Sequence, residues 1–218
     1  LALSSRRLIN ILDHLKVSFP ELERVGIYAN AQNILRKRQA DLETLRQKGL
    51  KILYLGLESG SDAVLTQVEK GSTASQMIAA TQRAKAAGMR VSIIAILGIA
   101  GPELSAQHAE LTARVVSAMD PEFFSMLSLM LVPGTQLHNQ WQKGEFQLLS
   151  PEEMLTELRT VIANLEGISH CIFRTNHASN YLPLKGTLPQ DKPQLLATLD
   201  SALSMGREAL RPEEWRGL

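Results

Sequence analysis

The chain has 218 residues, of which 44% are hydrophobic and 21% are charged, and its formal net charge is +1. This composition is typical of a globular protein with one large domain or two small ones, and it excludes a disordered chain. The balanced charge gives no nucleic-acid-binding signal, and no apolar run approaches the roughly 20 residues of a membrane helix.

The chain has one cysteine, Cys171. A single thiol excludes an internal disulfide framework and a zinc site of the CxxC type, and its place in an apolar run predicts a buried side chain. No signal peptide precedes the first amphipathic segment, so a cytoplasmic protein without membrane partners is expected. The chain begins with Leu1 rather than methionine, so we expect a fragment of a longer protein.

Hydrophobic residues recur in two alternating patterns. A helical spacing at Leu8, Ile11, Leu12, Leu15 and Phe19 predicts a first helix with one buried face. Continuous apolar runs predict strands that are covered on both faces. The predicted strands span residues 24–30, 51–57, 90–97, 123–132 and 169–174, the later helices span 39–48, 73–87, 104–119, 150–165 and 193–204, and a long loop spans 175–192.

Two of these helices begin with clear capping signals. Thr73 and Gln76 have the spacing of a capping box, in which each side chain bonds to the backbone N–H of the other residue. Ser150, Pro151 and Glu153 combine a capping hydroxyl, a proline at the first helical position and an acid three residues after the cap. Both capping motifs therefore predict where a helix begins.

The five predicted strands are each separated from the next by helix. This repetition predicts a parallel sheet with right-handed crossovers, and no low-complexity linker divides residues 1–218, so a single domain is expected. Five strands cannot close an eight-stranded barrel, and an open sheet and a partial barrel both fit the pattern. If strands are missing from a barrel, the strand at 24–30 becomes an open edge, and self-association through that edge is expected.

Polar residues follow several predicted strands at their carboxyl ends, which converge on one rim in parallel α/β folds. They suit a polar small molecule that has an apolar ring, because an apolar wall at 131–133 accompanies them. The residues are Asn30, Glu58 and Ser59, the glycine turn from Gly98 to Gly101, and Arg174, Asn176 and His177.

Each of these residues also has a purely structural explanation. Glu58 could cap the following helix, although a carboxylate directly after a buried strand is costly without a partner. Asn30 could cap a turn, and Gly98 could serve only to make its turn. Residues 174–177 could form the hydrogen-bond network that a long ordered loop needs. The sequence pattern alone leaves these alternatives open.

Missing motifs narrow the chemistry. No predicted strand ends in lysine, and the HxH, HExxH and GxSxG patterns are absent. A Schiff-base aldolase, a catalytic zinc centre and an α/β-hydrolase are therefore all disfavoured. His14 and His170 show no ligand spacing, and we expect His108 and His138 on solvent-facing sides of helices.

Several segments together resemble the radical S-adenosylmethionine (SAM) superfamily. Residues 54–62 and the following Lys70-Gly71-Ser72-Thr73 are similar to the fourth-strand segment of its coproporphyrinogen-dehydrogenase and methylthiotransferase type. Residues 91–101 and 130–135 resemble the fifth and sixth strand ends, and residues 173–187 resemble a bacterial subgroup without a settled substrate. The resemblance implies an α/β fold, a partial (β/α) barrel of parallel strands with outer helices. Its first two βα units are absent, and a C-terminal loop and helix span residues 175–218.

The resemblance also implies roles for residues at the strand ends. Glu58 would contact the SAM ribose, Asn30 would help to hold its methionyl or ribose part, and Lys70 would approach its carboxylate. Residues 94–98 and 130–132 would flank the adenine. The implied cofactor residues are Asn30, Glu58, Ser59, Lys70, Gly98, Met130 and Val132, and the implied substrate-facing residues are Arg174, Asn176 and His177.

The cluster-binding motif of that family is absent from this sequence. The family holds a [4Fe-4S] cluster with a CxxxCxxC loop, whose three thiolates leave one iron open to SAM, and Cys171 alone cannot replace them. The resemblance thus implies a parent enzyme that cleaves SAM to a 5′-deoxyadenosyl radical and acts on a small or unknown substrate. The chain itself is expected to bind neither cofactor and to be inactive. The alternative is a non-catalytic α/β interaction module that has lost the cluster.

Overall fold

One six-stranded sheet organises the protein. The computed structural model describes residues 1–217, and the strands lie in the sheet in chain order. The first five strands are parallel to their neighbours, as predicted, and the sixth runs antiparallel to the fifth. The strands are β1 (Val25–Ala29), β2 (Leu50–Glu58), β3 (Arg90–Leu97), β4 (Phe123–Ser128), β5 (Cys171–Arg174) and β6 (Lys185–Leu188).

Helices connect the parallel strands. All the helices that hydrophobic periodicity predicts are present in the described residues. Three further helices are too short to show a hydrophobic period in the sequence. The helices are α1 (Ser5–Ser18), α2 (Ala31–Leu35), α3 (Gln39–Gln47), α4 (Asp62–Gln67), α5 (Ala74–Ala86), α6 (Gly101–Met119), α7 (Gln136–Gln142), α8 (Pro151–Asn164) and α9 (Lys192–Met205), followed by 3₁₀ turns at Gly206–Ala209 and Glu213–Trp215.

Both predicted capping boxes are confirmed. At the start of α5, the Thr73 hydroxyl accepts from the Gln76 N–H while the Gln76 side chain accepts from the Thr73 N–H. Ser150 and Glu153 make the same reciprocal pair at the start of α8. Local sequence determines these ends because each box satisfies two backbone donors that the helix leaves without a partner.

The two faces of the sheet differ in burial. Side chains such as Leu55, Ile93 and Phe124 point toward the helices and are fully buried in one continuous core. The opposite face, here called the inner face, carries Tyr54 and Ser125 and is only partly covered. Helices therefore cover one side of the sheet, which leaves the inner face open to a ligand.

Three expectations need correction. The predicted loop at 175–192 contains β6, whose short Lys-Gly-Thr-Leu sequence has no strand pattern of its own and is ordered by pairing with β5. The predicted strand at 123–132 ends at Ser128. On α1, Ile11 is 45% exposed and Phe19 is 59% exposed, so only part of the predicted apolar face is buried.

The remaining general expectations concern the sheet edge and the membrane. Among residues 1–217, β1 pairs only with β2, so it is the edge strand that is expected if strands are missing from a barrel. Every helix in the described part of the chain is too short or too polar to cross a bilayer.

Candidate functional site

The central feature of the candidate site is an ion pair at the carboxyl end of β2. Lys70 Nζ lies 2.6 Å from Glu58 Oε1, and the two side chains are 20% and 21% exposed. Lys70 reaches this position because α4 ends shortly before it and its own N–H donates to the Leu65 carbonyl. The pair therefore brings together two residues that were singled out separately in the sequence.

The backbone at Glu58 redirects its side chain. The β2–β3 register shifts between Gly56 and Glu58, and Glu58 has a φ of 62°, in the left-handed region that a glutamate rarely adopts. Such strain persists only where the surroundings impose it, and it is frequent at functional sites. The bulge turns the carboxylate back over the strand toward the inner face.

Gly56 provides the space that the carboxylate occupies. A Cβ built at Gly56 would overlap Glu58 Oε1 and would lie 3.1 Å from Lys70 Nζ. Any larger residue at this position would push the ion pair away from the strand. Gly56 is therefore part of the site, and its signal was visible in the sequence only as a glycine within an apolar strand.

Asn30 lies at the carboxyl end of the adjacent strand, β1. Its Oδ1 accepts from the Asn33 N–H at 2.7 Å and caps α2, so the capping interpretation is correct for that oxygen. Two residues further on, Gln32 donates to the Gly71 carbonyl at 2.6 Å. This bond ties the start of α2 to the segment that carries Lys70, so Asn30 and Lys70 belong to one rim.

Ser59 faces away from this rim. It is fully buried, and its hydroxyl lies 2.7 Å from His108 Nδ1 on α6 and accepts from the Ser61 N–H. The next residue, Gly60, makes this turn possible, because a Cβ there would overlap the Leu111 carbonyl of α6. Ser59 therefore anchors the turn after Glu58 to the helix layer, whereas sequence reasoning had placed it beside the cofactor.

The expectation that His108 faces solvent is wrong, because the side chain is completely buried. Its Nε2 lies 3.6 Å from Oε1 of Glu157, which is on α8 and is also buried. Oε1 of Glu157 accepts from the Gly98 N–H at 2.7 Å, and Oε2 accepts from the Ser105 hydroxyl. The cluster lies on the helix-covered side of the sheet, where it links the residues that follow β2 and β3.

The pKa values of both ionisable groups in this cluster, His108 and Glu157, are shifted. Burial lowers the pKa of His108 to about 4 because it disfavours the charged imidazolium, an effect partly offset by the Ile96 carbonyl. Burial also raises the pKa of Glu157 to about 7, although its hydrogen bonds from Ser105 and Gly98 act in the opposite direction. Nδ1 of His108 shares a hydrogen bond with the Ser59 hydroxyl, which also accepts from the Ser61 N–H.

The residues expected near an adenine ring lie along the ends of β3 and β4. Gly98 has a φ of 78°, and its N–H is held by Glu157. Met130 is half-buried just beyond β4, and Val132 is 43% exposed in the next turn, where its carbonyl accepts from Thr135. An apolar surface is present here, although these side chains lie outside the strand that was predicted to carry them.

The three substrate candidates occupy different surroundings. Arg174 ends β5 on the inner face, in register with Ser125 of β4. Asn176 is exposed in the following loop. His177 Nδ1 lies 2.9 Å from the Ser179 hydroxyl and accepts from the Ser179 N–H, so the loop-network interpretation is correct for His177. Of the three, Arg174 is the one directed at the open face.

Asn180 is a buried residue that sequence reasoning missed. Its Nδ2 donates to the Met126 and Thr175 carbonyls at 2.9 and 3.0 Å, and its Oδ1 accepts from the Ser128 hydroxyl at 3.0 Å. Because β5 is only four residues long, Asn180 continues the hydrogen bonding of β4 where β5 has ended. An asparagine within a polar loop gave no signal of this role.

The residues do not fit an iron–sulfur cluster. Cys171 is fully buried among core side chains, and burial raises the pKa of its thiol to about 12. Residues 1–217 contain no group of three or more His, Cys, Asp or Glu side chains placed to hold a metal ion. The buried cysteine confirms the sequence interpretation of Cys171 as a core residue.

A parallel sheet with helices on one side and a polar rim at its strand ends defines a partial (β/α) barrel. Residues 3–115, about half of the chain, match the Radical SAM superfamily. The chain therefore belongs to the radical SAM superfamily, and the resemblance drawn from residues 54–62 and their neighbours is confirmed.

Individual proteins resemble this chain in sequence or in fold. The heme chaperone HemW of Bacillus subtilis is 22% identical over 158 residues, covering 72% of this chain and 40% of its own length. Coproporphyrinogen III oxidase (HemN) from Escherichia coli, described as a radical SAM enzyme, superposes with a TM-score of 0.60 at 18% identity, over 77% of this chain and 38% of its own. Elp3 of Methanocaldococcus infernus, with an N-terminal deletion, gives a TM-score of 0.59 at 18% identity, covering 86% and 42%. These structural likenesses show the fold, and the chain spans about two fifths of the length of each of these proteins.

Proposed function

We propose that this chain forms the SAM-binding rim and substrate-facing sheet of a radical SAM enzyme, as one domain over residues 1–218. The observation that carries the proposal is the Glu58–Lys70 pair, 2.6 Å apart, at a strand end within the segment that matches the superfamily. A carboxylate and an ammonium group there offer SAM an acceptor for hydroxyl groups and a partner for a carboxylate.

The other rim residues would complete the site. The Asn30 Oδ1 is occupied by its capping bond, so its Nδ2 donors would serve a ligand. Gly98, Met130 and Val132 would border the adenine. Ser59 would act only through the backbone, by fixing the turn that follows Glu58.

The cluster ligands are proposed to lie in a part of the longer protein outside residues 1–218, because the single buried cysteine does not fit a three-thiolate site. A cluster held there would supply the electron for the reductive cleavage of SAM, which is the chemistry proposed for the parent enzyme. The contribution of this chain is to hold and orient SAM and to keep water from its buried side.

The proposal extends to partners and compartment. A small-molecule substrate suits the inner face, because this face is partly open to solvent and carries polar groups among apolar ones. A cytoplasmic location fits a lone buried thiol without a disulfide partner, as is usual in a reducing compartment.

The test is the affinity for SAM of the full-length, cluster-loaded protein, measured by isothermal titration calorimetry. Glu58→Ala is expected to weaken binding by about 1–3 kcal/mol, the scale of a lost charge-assisted hydrogen bond. Glu69→Ala is a matched control, because Glu69 is also a glutamate with a positive φ and is exposed without a described ion pair. Equal SAM affinity in the wild type and Glu58→Ala would reject the assignment of Glu58.

A non-catalytic interaction module is the second candidate, and the single cysteine is the observation that favours it. The two candidates differ in the sequence that precedes residue 1 in the whole protein. A CxxxCxxC pattern there supports the enzyme, whereas a protein that starts at or just before residue 1 supports the module.

A further inference from the structure

A second polar site lies on the inner face, away from the Glu58 rim. A cavity of about 200 Å³ is bordered by the guanidinium groups of Arg24 and Arg174 and by the hydroxyl-bearing side chains Tyr54, Ser92 and Ser125. Phe123 forms part of its apolar floor. The register places these residues on neighbouring strands, since Tyr54 pairs with Ser92, Ser92 with Phe123, and Ser125 with Arg174.

The charge around this cavity is positive and unpaired. Within residues 1–217, neither Arg24 nor Arg174 takes part in an ion pair or a side-chain hydrogen bond, although eight ion pairs of lysine or arginine occur elsewhere. Two further cations adjoin them: the Arg90 guanidinium lies over the Phe123 ring, 5.8 Å from its centroid, and Lys185 pairs in register with Arg174. Glu58, the one acidic residue that the described strands carry on the inner face, is already paired with Lys70.

The hydroxyl groups are also free. No hydrogen bond of Tyr54, Ser92 or Ser125 side chains to another protein group is present in the described residues, although Ser92 is 7% exposed. Unpaired hydroxyl donors beside unpaired guanidinium groups form a donor set without an acceptor. Arg24 and Arg174 are exposed to solvent, so an anion from outside the protein can reach this set of donors.

We propose that this cavity binds the carboxylate or phosphate group of a small-molecule substrate. Guanidinium groups bind both anions through paired N–H donors, and the apolar floor of Phe123 and Ile172 lowers the local dielectric and strengthens the attraction. The identification of the anion as part of a substrate rests on the proposed function, but anion binding itself does not.

The geometry adds a restriction on the length of the substrate. The Glu58 carboxylate lies over Gly56, two residues along β2 from Tyr54, and a strand rises about 3.3 Å per residue, so the two levels are roughly 7 Å apart. A substrate that is anchored in the cavity and reacts near the rim therefore has its anionic group about that far from the reacting atom.

Direct binding of simple anions tests the proposal. Inorganic phosphate and citrate are titrated separately into the full-length protein by calorimetry at low ionic strength. Arg174→Gln and Arg24→Gln are each expected to weaken binding about ten- to hundredfold. Arg114→Gln is the charge-matched control, because Arg114 is exposed on the outer helix α6, and it should bind as the wild type does.

The two probes distinguish the two anions, and a parallel SAM titration separates the two sites. If Arg174→Gln and Arg24→Gln lose anion binding but keep the SAM affinity of the wild type, the cavity is a site independent of the SAM rim. Tighter binding of citrate or of phosphate assigns a carboxylate or a phosphate respectively. The proposal is overturned if neither probe binds saturably at millimolar concentration, or if the Arg174→Gln and Arg114→Gln proteins bind them equally. Failure of Glu58→Ala to affect SAM affinity would reject the role assigned to Glu58 in the proposed function without touching this result.

Discussion

Glu58 and Lys70 meet at 2.6 Å directly above the α-carbon of Gly56, on the open face of the sheet. A bulge and a left-handed residue turn the carboxylate back over its own strand, and α4 returns the chain so that the lysine reaches it. The ion pair is thus preorganised by backbone geometry, and the absence of a side chain at Gly56 is what allows it.

Gly56→Ala tests this arrangement. The new methyl group would displace the Glu58 carboxylate, and the flexible end of that side chain can move without disturbing the strand. We expect the melting temperature to change little and the SAM affinity of the cluster-loaded, full-length protein to fall about as far as in Glu58→Ala, by about 1–3 kcal/mol. Calorimetry and differential scanning fluorimetry measure the two effects.

A double-mutant cycle serves as its control. If the methyl group acts through Glu58, Gly56→Ala has no further effect on SAM affinity in a protein that already carries Glu58→Ala. Additive losses would mean that Gly56 contacts the ligand itself. A large fall in melting temperature would instead show that the strand cannot absorb the methyl group.

The sheet could be predicted because its signals are local. Apolar runs, helix-length spacing and capping pairs such as Thr73 with Gln76 and Ser150 with Glu153 each lie within a few residues of one another. Strand polarity then followed from the alternation of strand and helix. The positions of Glu58 and Asn30 at one rim followed in turn from that polarity.

The remaining features depend on contacts between distant segments. β6 is a strand only because β5 lies beside it. His108 looked like a surface histidine in sequence, yet Ser59 and Glu157 reach it from β2 and α8. Pairing across such separations leaves no periodic trace, so the polar cluster behind the rim could not be predicted.

Glu157→Gln tests the buried cluster through the pH dependence of stability. Because burial raises the pKa of Glu157 to about 7, the folded state holds its proton in a range where the unfolded state has released it. Stability from this group is therefore fully present below about pH 4.5 and is lost as pH rises to about 7. Glutamine does not ionise; its oxygen can accept from the Gly98 N–H, and its Nε2 can donate to the Ser105 hydroxyl, which then acts as acceptor.

The expected signature is a difference that grows with pH. Glu157→Gln should match the wild type near pH 4.5 and exceed it at pH 7 and above, by up to about 3 kcal/mol at 1.36 kcal/mol per unit of pKa shift. His108 contributes its own dependence, with stability lost as pH falls from about 6.5 through its lowered pKa of about 4. Chemical denaturation between pH 4.5 and 8 measures the difference, with exposed Glu110→Gln as control. A pH-independent difference between Glu157→Gln and the wild type would contradict the shifted pKa.

Asn180→Asp tests the loop that continues β4. The substitution replaces the amide donor that faces the Met126 and Thr175 carbonyls with an oxygen, and it places a charge at a site that is 2% exposed. We expect a loss of about 3 kcal/mol in the free energy of unfolding. Asn176→Asp, the same change at an exposed position of the same loop, should cost no more than about 0.5 kcal/mol. Equal effects in urea denaturation would show that the Asn180 bonds do not stabilise the fold.

The open edge of β1 predicts self-association when residues 1–218 are produced alone. In the described residues β1 pairs only with β2, and Tyr28, whose ring lies 5.4 Å from that of Tyr54, is 74% exposed. Such an edge with exposed aromatic surface favours pairing with a second chain, and a lysine on the edge strand opposes it. Tyr28→Lys should therefore shift the concentration-dependent oligomer toward monomer in sedimentation velocity, whereas Trp215→Lys, at a 72% exposed aromatic residue away from the sheet, should not. A wild-type chain that is monomeric at every concentration, or two variants that sediment alike, would show that β1 is not the associating edge.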